Sequence, residues 1–140
     1  MTTQQRSAVH HTFTVQRTFA SAPDRVFDAF ADPALKQRWF VAPEGWESGP
    51  YSLDFRVGGA ESSRGNPPDG PTFTYDAVCQ DIVQDERIVS TYVMNMDDQR
   101  ISVSQVTVLS CTSSRRYLTA ALPAGQPSAQ RCLISAESIP

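Results

Sequence analysis

The sequence contains few of the residues on which catalytic and metal sites depend. Its 140 residues include two histidines and three cysteines. The histidines, His10 and His11, are adjacent, and neighbouring strand residues point to opposite faces, so the pair does not serve one site. Cys79, Cys111 and Cys132 are odd in number and lack the C-x-x-C spacing of zinc sites. We therefore predict no metal, no cofactor and no catalytic residue.

Positive charge and long apolar runs are also scarce. The net charge is -3, so the chain lacks the basic character of nucleic-acid-binding proteins. No apolar run approaches the roughly 18 residues that a membrane span needs, and we predict none. The first residues carry no apolar segment typical of a secretion signal, so we expect a cytoplasmic protein. A hydrophobic content of 40% and this length fit one globular domain.

Two short helices are predicted near the start of the chain. The stretch SAPDRVFDAFADP favours a helix with Ser21 as its N-cap and Asp24 three residues later, as in a capping box. This helix must end near Asp32, because Pro33 follows. Asp32 can then cap a second helix, PALKQRWF, with Trp39 on its apolar inner side.

Strand patterns surround these helices. Residues 11–19, 51–57, 72–83, 87–94 and 100–108 alternate with a period of two, and a short strand is expected around Glu61. We expect Gly58 or Gly59 to adopt a positive φ in a tight turn. In the last strand, Ile101 and Val103 share one face whereas Val106 and Val108 share the opposite face. This change indicates a bulge or burial on both faces. The predicted fold is α+β, a curved antiparallel sheet with two short N-terminal helices.

Three segments together resemble a known family: RTFASAPDRVFDAFADPALKQRWF, LDFRVGG and PDGPTFTYDAVCQDIVQDERIVSTYVM. They are similar to homologues of the heat-shock-protein-90 ATPase activator, within the START-like helix-grip superfamily. The resemblance covers residues 13–108. It implies a seven-stranded sheet, a long C-terminal helix across it, and an apolar cavity between them. Members of the superfamily bind lipids, polyketides or other apolar molecules, and a few catalyse cyclisations.

The sequence changes character at Leu109. Residues 1–108 carry 14 acidic and nine basic residues, whereas residues 109–140 carry one acid and three arginines. The later segment lacks the long amphipathic helix that the family implies. We interpret residues 1–10 as a flexible N-terminus, 11–108 as the START-like domain, and 109–140 as an atypical tail, irregular after about Ser110. Our hypothesis is that a frame shift or another replacement produced this tail; a divergent native tail is the alternative.

Aromatic residues are the main indication of a binding site, because Tyr and Trp join an apolar body to a polar atom. Six of them are predicted to line a ligand cavity: Trp39, Trp46, Phe55, Phe73, Tyr75 and Tyr92. The alternative is that they form ordinary core. Arg17 interrupts the apolar face of the first strand, formed by Phe13, Val15 and Phe19, and is predicted to be a polar group of the cavity.

Charged and sulfur-containing side chains are given structural roles. Asp54 and Arg56 share one strand face, and an ion pair beside the glycine turn is favoured over a charged cluster with Glu61 or Asp76 in the cavity. Cys79 lies among apolar strand neighbours and is predicted to be buried and inert.

Three functions follow as hypotheses. The first is non-catalytic binding of an apolar small molecule. The second is interaction with a chaperone, which the resemblance implies and which would link the protein to the stress response. The third is an enzyme such as a cyclase, although no acid–base pair stands out. If the long helix is absent, the uncovered sheet also favours a homodimer or poor solubility.

Overall fold

The computed structural model describes residues 11–40, 42–111 and 130–139. These residues form two helices, α1 (Pro23–Ala31) and α2 (Pro33–Gln37). They also form eight strands: β1 (His11–Phe19), β2 (Glu47–Ser48), β3 (Ser52–Leu53), β4 (Ala60–Asn66), β5 (Phe73–Val83), β6 (Arg87–Met96), β7 (Gln99–Cys111) and β8 (Gln130–Ile139). The sheet order is β1-β8-β7-β6-β5-β4-β2, with β3 also paired to β4, and every pair is antiparallel. The predicted α+β class is confirmed.

The core lies between α1 and one face of the sheet, which we call the inner face. Val26 and Phe27 of α1 are 7% and 4% exposed. They pack against Cys79 on β5, Ile88 on β6 and Val108 on β7. Both side chains of α1 therefore face β5, β6 and β7, and α1 covers the centre of the sheet.

The two helices meet at Asp32. The predicted N-cap of α1, Ser21, is wrong because Pro23 takes the first helical position and leaves Ser21 one residue too early. The predicted cap of α2 is confirmed, although this helix ends at Gln37 and not at Phe40. One oxygen of Asp32, Oδ1, accepts hydrogen bonds from the backbone nitrogens of Ala34 at 2.8 Å and Leu35 at 3.1 Å. The same residue ends α1 with an extended backbone, so the backbone of Asp32 terminates one helix and its side chain caps the next.

The strands β5, β6 and β7 form consecutive hairpins whose faces follow the predicted alternation. On β5, Ala77 and Cys79 are 3% and 7% exposed, whereas Val78 between them is 40% exposed. In the β6–β7 hairpin the pairing skips Ile101, which makes a bulge. This bulge does not explain the change of face within β7, because the pairing is regular from Ser102 to Leu109. Val106 and Val108 belong to the inner face, whereas Val103 is 40% exposed, so the alternative of burial on both faces is not found for Val103 either.

The segment before β4 differs from the prediction. The strand expected over residues 51–57 is reduced to β3, because the backbone turns back toward β4 directly after it. Gly58 has a φ of 79°, which confirms a positive φ at one of the two glycines. At Gly59 an added Cβ would collide with the backbone oxygen of Asp54. This turn therefore requires both glycines, one for its backbone angle and one for its close approach.

The chain after β7 also differs from the prediction. The irregular structure expected after Ser110 is wrong for β8, which pairs with β1 on one side and β7 on the other. Hydrogen bonding to two neighbours outweighs the weak strand character of this sequence. The flexible N-terminus over residues 1–10, and the helical turns that residues 115–122 could make, lie outside the described residues. The domain limits and the frame-shift hypothesis stay predictions. In the described ranges no helix is longer than the nine residues of α1.

Candidate functional site

A cavity of about 230 Å³ lies between the helices and the inner face of the sheet. Its walls are mostly apolar. The helices and the residues that follow α2 contribute Phe30, Trp39 and Phe40. The strands contribute, among others, Tyr75, Tyr92, Ile88 and Val106. The cavity therefore occupies the place where the first helix leaves the inner face uncovered.

Aromatic rings form an unbroken series of contacts along these walls. Phe30 and Trp39 meet edge to face with 4.9 Å between ring centroids. Phe40 approaches Tyr75 at the same distance, and Tyr75 approaches Tyr92 at 4.9 Å in a tilted arrangement. Trp39 and Phe40 complete the series at 6.0 Å. Rings in mutual contact have few alternative rotamers, so this wall is held in place before any ligand arrives.

Trp39 links the two helices at the rim of the cavity. Its indole Nε1 donates a hydrogen bond to the backbone oxygen of Ala29, at 2.9 Å. The residue is 48% exposed, although the sequence predicts an inner, apolar position for it. One face of the ring lines the cavity while another part of it faces solvent, since the indole spans the gap between α1 and the end of α2.

A buried ion pair supplies the polar part of the site. The ammonium of Lys36, on α2, contacts both carboxylate oxygens of Glu61, on β4, at 2.6 and 2.7 Å. Their side chains are 12% and 6% exposed. The hydroxyl of Tyr51 donates to Glu61 Oε1 at 2.8 Å. Lys36 Nζ also lies 5.2 Å from the centre of the Phe40 ring, within the range of a cation–π interaction.

This environment keeps nearby acidic groups neutral. Burial, followed by the hydrogen bond to Glu61 and its charge, raises the pKa of Tyr51 well above its usual value. Burial and then the charge of Glu61 raise the pKa of Tyr75 in the same way. Burial also raises the pKa of the Cys79 thiol, against a lowering effect of a hydrogen bond to Ser90. At neutral pH the Cys79 thiol therefore keeps its proton, and its 7% exposure confirms the predicted burial of this residue.

Of the seven residues predicted to bind a ligand, four line the cavity: Trp39, Phe55, Tyr75 and Tyr92. The other two aromatic residues, Trp46 and Phe73, are not among the lining side chains. They pack against each other, with ring centroids 5.2 Å apart. Arg17 is exposed on β1, where its guanidinium donates to the backbone oxygen of Gln16 at 3.0 Å. The structure does not bring Arg17 to the cavity.

Sequence reasoning missed the main polar residue of the site, Lys36. The only signal was compositional, since Lys36 is the single lysine among twelve basic residues. The sequence suggested Glu61 only as an alternative partner of Asp54 and Arg56 in a charged cluster. Asp54 and Arg56 form the expected ion pair with each other at 2.7 Å, and their side chains are 53% and 70% exposed.

A second depression lies on the outer side of the helices. Its volume is about 620 Å³, and it is lined by Arg25, Asp28, Leu35 and Arg38, together with Ala29 and Trp39, so the Trp39 indole borders both cavities. Arg25, Asp28, Leu35 and Arg38 are exposed, and the depression is a shallow surface feature. The smaller, better enclosed cavity is therefore the stronger candidate site.

No three His, Cys, Asp or Glu side chains among the described residues are grouped so that they could hold a metal ion. No helix in that part of the chain is long and apolar enough to cross a membrane.

Comparison with known proteins gives the family. The family model described as "Activator of Hsp90 ATPase homolog 1-like protein" matches residues 20–129, which is well over half of the chain. The chain belongs to this family. Membership places it in the START-like superfamily, as its sequence motifs indicate. No curated protein matches the chain.

Solved structures agree with membership of the activator-like family. The Mll3558 protein from Rhizobium loti is 39% identical, with a TM-score of 0.79 over 96% of this chain and 82% of that one. An uncharacterised protein from Rhizobium leguminosarum is 31% identical, with a TM-score of 0.79 over 95% of this chain and 79% of that one. The AHSA1 protein from Silicibacter pomeroyi is 18% identical, with a TM-score of 0.65 over 90% of this chain and 78% of that one, and shares the fold.

Proposed function

We propose that this protein binds a small, mainly apolar molecule in the cavity between its helices and the inner face of the sheet. The observation that carries the proposal is the cavity itself, with its wall of contacting aromatic rings. Small-molecule sites are typically concave and apolar, with a few polar groups that orient the ligand. Lys36, which lines the cavity and is held in place by Glu61, supplies such a group.

The size of the cavity limits the ligand. Pockets for drug-sized molecules have volumes of roughly 300–1,000 Å³, and this one has about 230 Å³. The tilted contact of Tyr75 and Tyr92 presents ring faces along one wall. A compact molecule with a flat apolar part fits this volume and this wall better than a long acyl chain does.

The state of the polar groups favours binding over catalysis. A general base or nucleophile has to face the substrate in its reactive form. The Cys79 thiol is held neutral by burial, and the charges of Lys36 and Glu61 are directed at each other. We therefore place simple binding ahead of the cyclase-type activity.

The two tryptophans provide a direct test, because Trp39 lines the cavity and Trp46 does not. Iodobenzene is a small apolar molecule whose heavy atom quenches indole fluorescence on contact. In the Trp46→Phe variant, which retains Trp39, we expect saturable quenching by iodobenzene. The matched Trp39→Phe variant, which retains Trp46, should show only weak, unsaturable quenching.

Thermal stability gives a second readout of the same binding. A ligand at 100 times its Kd raises the free energy of unfolding by about 2.7 kcal/mol. Iodobenzene should therefore raise the melting temperature with the same concentration dependence as the quenching. Equal, unsaturable quenching of both tryptophans with no change in melting temperature would contradict the proposal.

The other functional hypotheses stay predictions. The chaperone-interacting role, and with it the link to the stress response, rests on the family description. The cytoplasmic location is likewise untested. The homodimer has one supporting observation, since Phe13 and Phe19 on β1 are 53% and 42% exposed.

A further inference from the structure

The cavity contains the only lysine of the chain. Eleven of the twelve basic residues are arginines, and the twelfth is Lys36. Lysines are almost never buried unless they are paired. Lys36 is buried, paired with Glu61, and exposed to the cavity interior as part of its lining. Lys36 can therefore contact a molecule in the cavity as well as join α2 to β4.

The ammonium of Lys36 also has more hydrogen-bond donors than the carboxylate of Glu61 uses. An ammonium has three N–H donors and no acceptor. The two oxygens of Glu61, at 2.6 and 2.7 Å, account for two of these donors. The ring of Phe40, 5.2 Å away, attracts the charge without accepting a conventional hydrogen bond. Within the described part of the chain, one donor is therefore left for a molecule in the cavity.

We propose that the ligand carries a neutral oxygen acceptor, such as a ketone carbonyl, and that Lys36 Nζ donates a hydrogen bond to it. This inference rests on the proposed function, because it describes the polar end of the molecule held in that cavity. The apolar body of the ligand lies against Tyr75 and Tyr92, which share the lining with Lys36.

The charge of Glu61 explains why the acceptor is neutral. Glu61 already balances the charge of Lys36, and its side chain is only 6% exposed. A ligand carboxylate would bring a second negative charge into a site that has one cation, and buried like charges repel each other strongly.

Acetophenone and α-methylstyrene form a matched pair of probes. They have nearly the same shape, and a methylene group in the second replaces the carbonyl oxygen of the first. A hydrogen bond from a charged donor is worth enough to change affinity by about tenfold or more. In the full-length protein we expect acetophenone to bind at least about tenfold more tightly than α-methylstyrene, and more tightly than benzoate.

Nuclear magnetic resonance can locate the contact. Labelling with ¹⁵N-lysine introduces label at one residue, because the chain has one lysine. Acetophenone should shift the Nζ resonance of Lys36, and α-methylstyrene at equal occupancy should shift it much less. Equal Nζ shifts from the two probes would overturn the inference.

Variants separate the hydrogen bond from general effects on the fold. The double change Lys36→Met with Glu61→Gln removes both charges together, so no unpaired carboxylate is left buried. We expect the preference for acetophenone to disappear in this variant. The control Arg56→Met removes an exposed ion pair outside the cavity and should retain the preference.

The outcomes distinguish the two proposals. If both probes bind the wild-type protein saturably with equal affinity, the carbonyl contact is wrong while binding in the cavity stands. Tighter binding of benzoate would overturn the neutral character of the acceptor. If none of the probes binds and iodobenzene also fails to quench Trp39, the proposed function fails together with this inference.

Discussion

The two helices differ in what they do for the protein, although one residue separates them. The nine residues of α1 bury Val26 and Phe27 in the core. The five residues of α2 bury none of their side chains to the same degree, yet α2 supplies Lys36 to the cavity. Core packing is thus concentrated in the first helix, whereas the second supplies the charged group of the cavity wall, which Phe30 of α1 also lines. A change in α1 is therefore expected to act mainly through the core, and a change in α2 through the cavity wall.

The largest loss of stability is expected from Phe27→Ala on α1. Phe27 is 4% exposed, and its ring meets Phe55 edge to face at 5.7 Å. Removing a buried aromatic ring should lower the free energy of unfolding by about 3–5 kcal/mol, measured by urea denaturation. The control Val57→Ala changes a residue that is 58% exposed and should cost less than about 0.5 kcal/mol. A similar cost for both would show that α1 does not anchor the core.

A somewhat smaller loss is expected from Lys36→Met on α2. This change leaves the carboxylate of Glu61 buried without its cation, which costs about 3 kcal/mol in comparable pairs. The matched change Arg56→Met breaks the exposed pair with Asp54 and should cost less than about 0.5 kcal/mol. Urea denaturation of the two variants measures the difference. Equal costs would mean that water screens the cavity pair as well as it screens the surface pair.

Tyr51→Phe should have an intermediate effect, because it removes a hydrogen bond to charged Glu61. A bond of this kind is worth about 1.5 kcal/mol at neutral pH. The raised pKa of Tyr51 adds a pH dependence. The folded state keeps the hydroxyl proton to higher pH than the unfolded chain, so the stabilisation is complete below about pH 10 and is lost at higher pH. Urea denaturation as a function of pH should show a shallower alkaline decline for the variant. An unchanged decline would contradict this assignment.

The smallest effect is expected from Asp32→Ala, at the junction of the helices. Loss of an N-cap costs about 1 kcal/mol. Because Asp32 caps α2, fraying of α2 should also weaken the saturable quenching of Trp39 by iodobenzene. The control Asp98→Ala, at an exposed position in the β6–β7 turn, should leave both readouts unchanged. If Asp32→Ala lowers stability while quenching is unaffected, α2 does not depend on its cap to form the cavity wall.

Features determined by nearby residues could be predicted from the sequence. The capped start of α2, the burial of Ala77 and Cys79 and the turn at Gly58 each depend on contacts within a few positions or on strict alternation. The aromatic part of the cavity was predictable only in part. Alternation on β5 puts Tyr75 and Phe73 on the same face, but Phe73 packs against Trp46 and does not line the cavity.

Features that depend on distant partners could not be predicted. Lys36 and Glu61 are 25 positions apart, and neither position follows the rule that interior residues are apolar. The strand character of β8 comes from its pairing with β1 and β7 rather than from its composition. Arg17 illustrates the opposite error. Alternation on β1 suggested a buried position for a side chain that remains exposed.

The single lysine also determines how the protein can be modified chemically. Amine-reactive dyes, cross-linkers and coupling resins find one side-chain target in this chain besides the α-amino group. That target is 12% exposed and engaged by Glu61, so it should react slowly. A reagent that does react there places its own bulk in the cavity. Attachment through this amine and occupation of the cavity by a ligand therefore exclude each other.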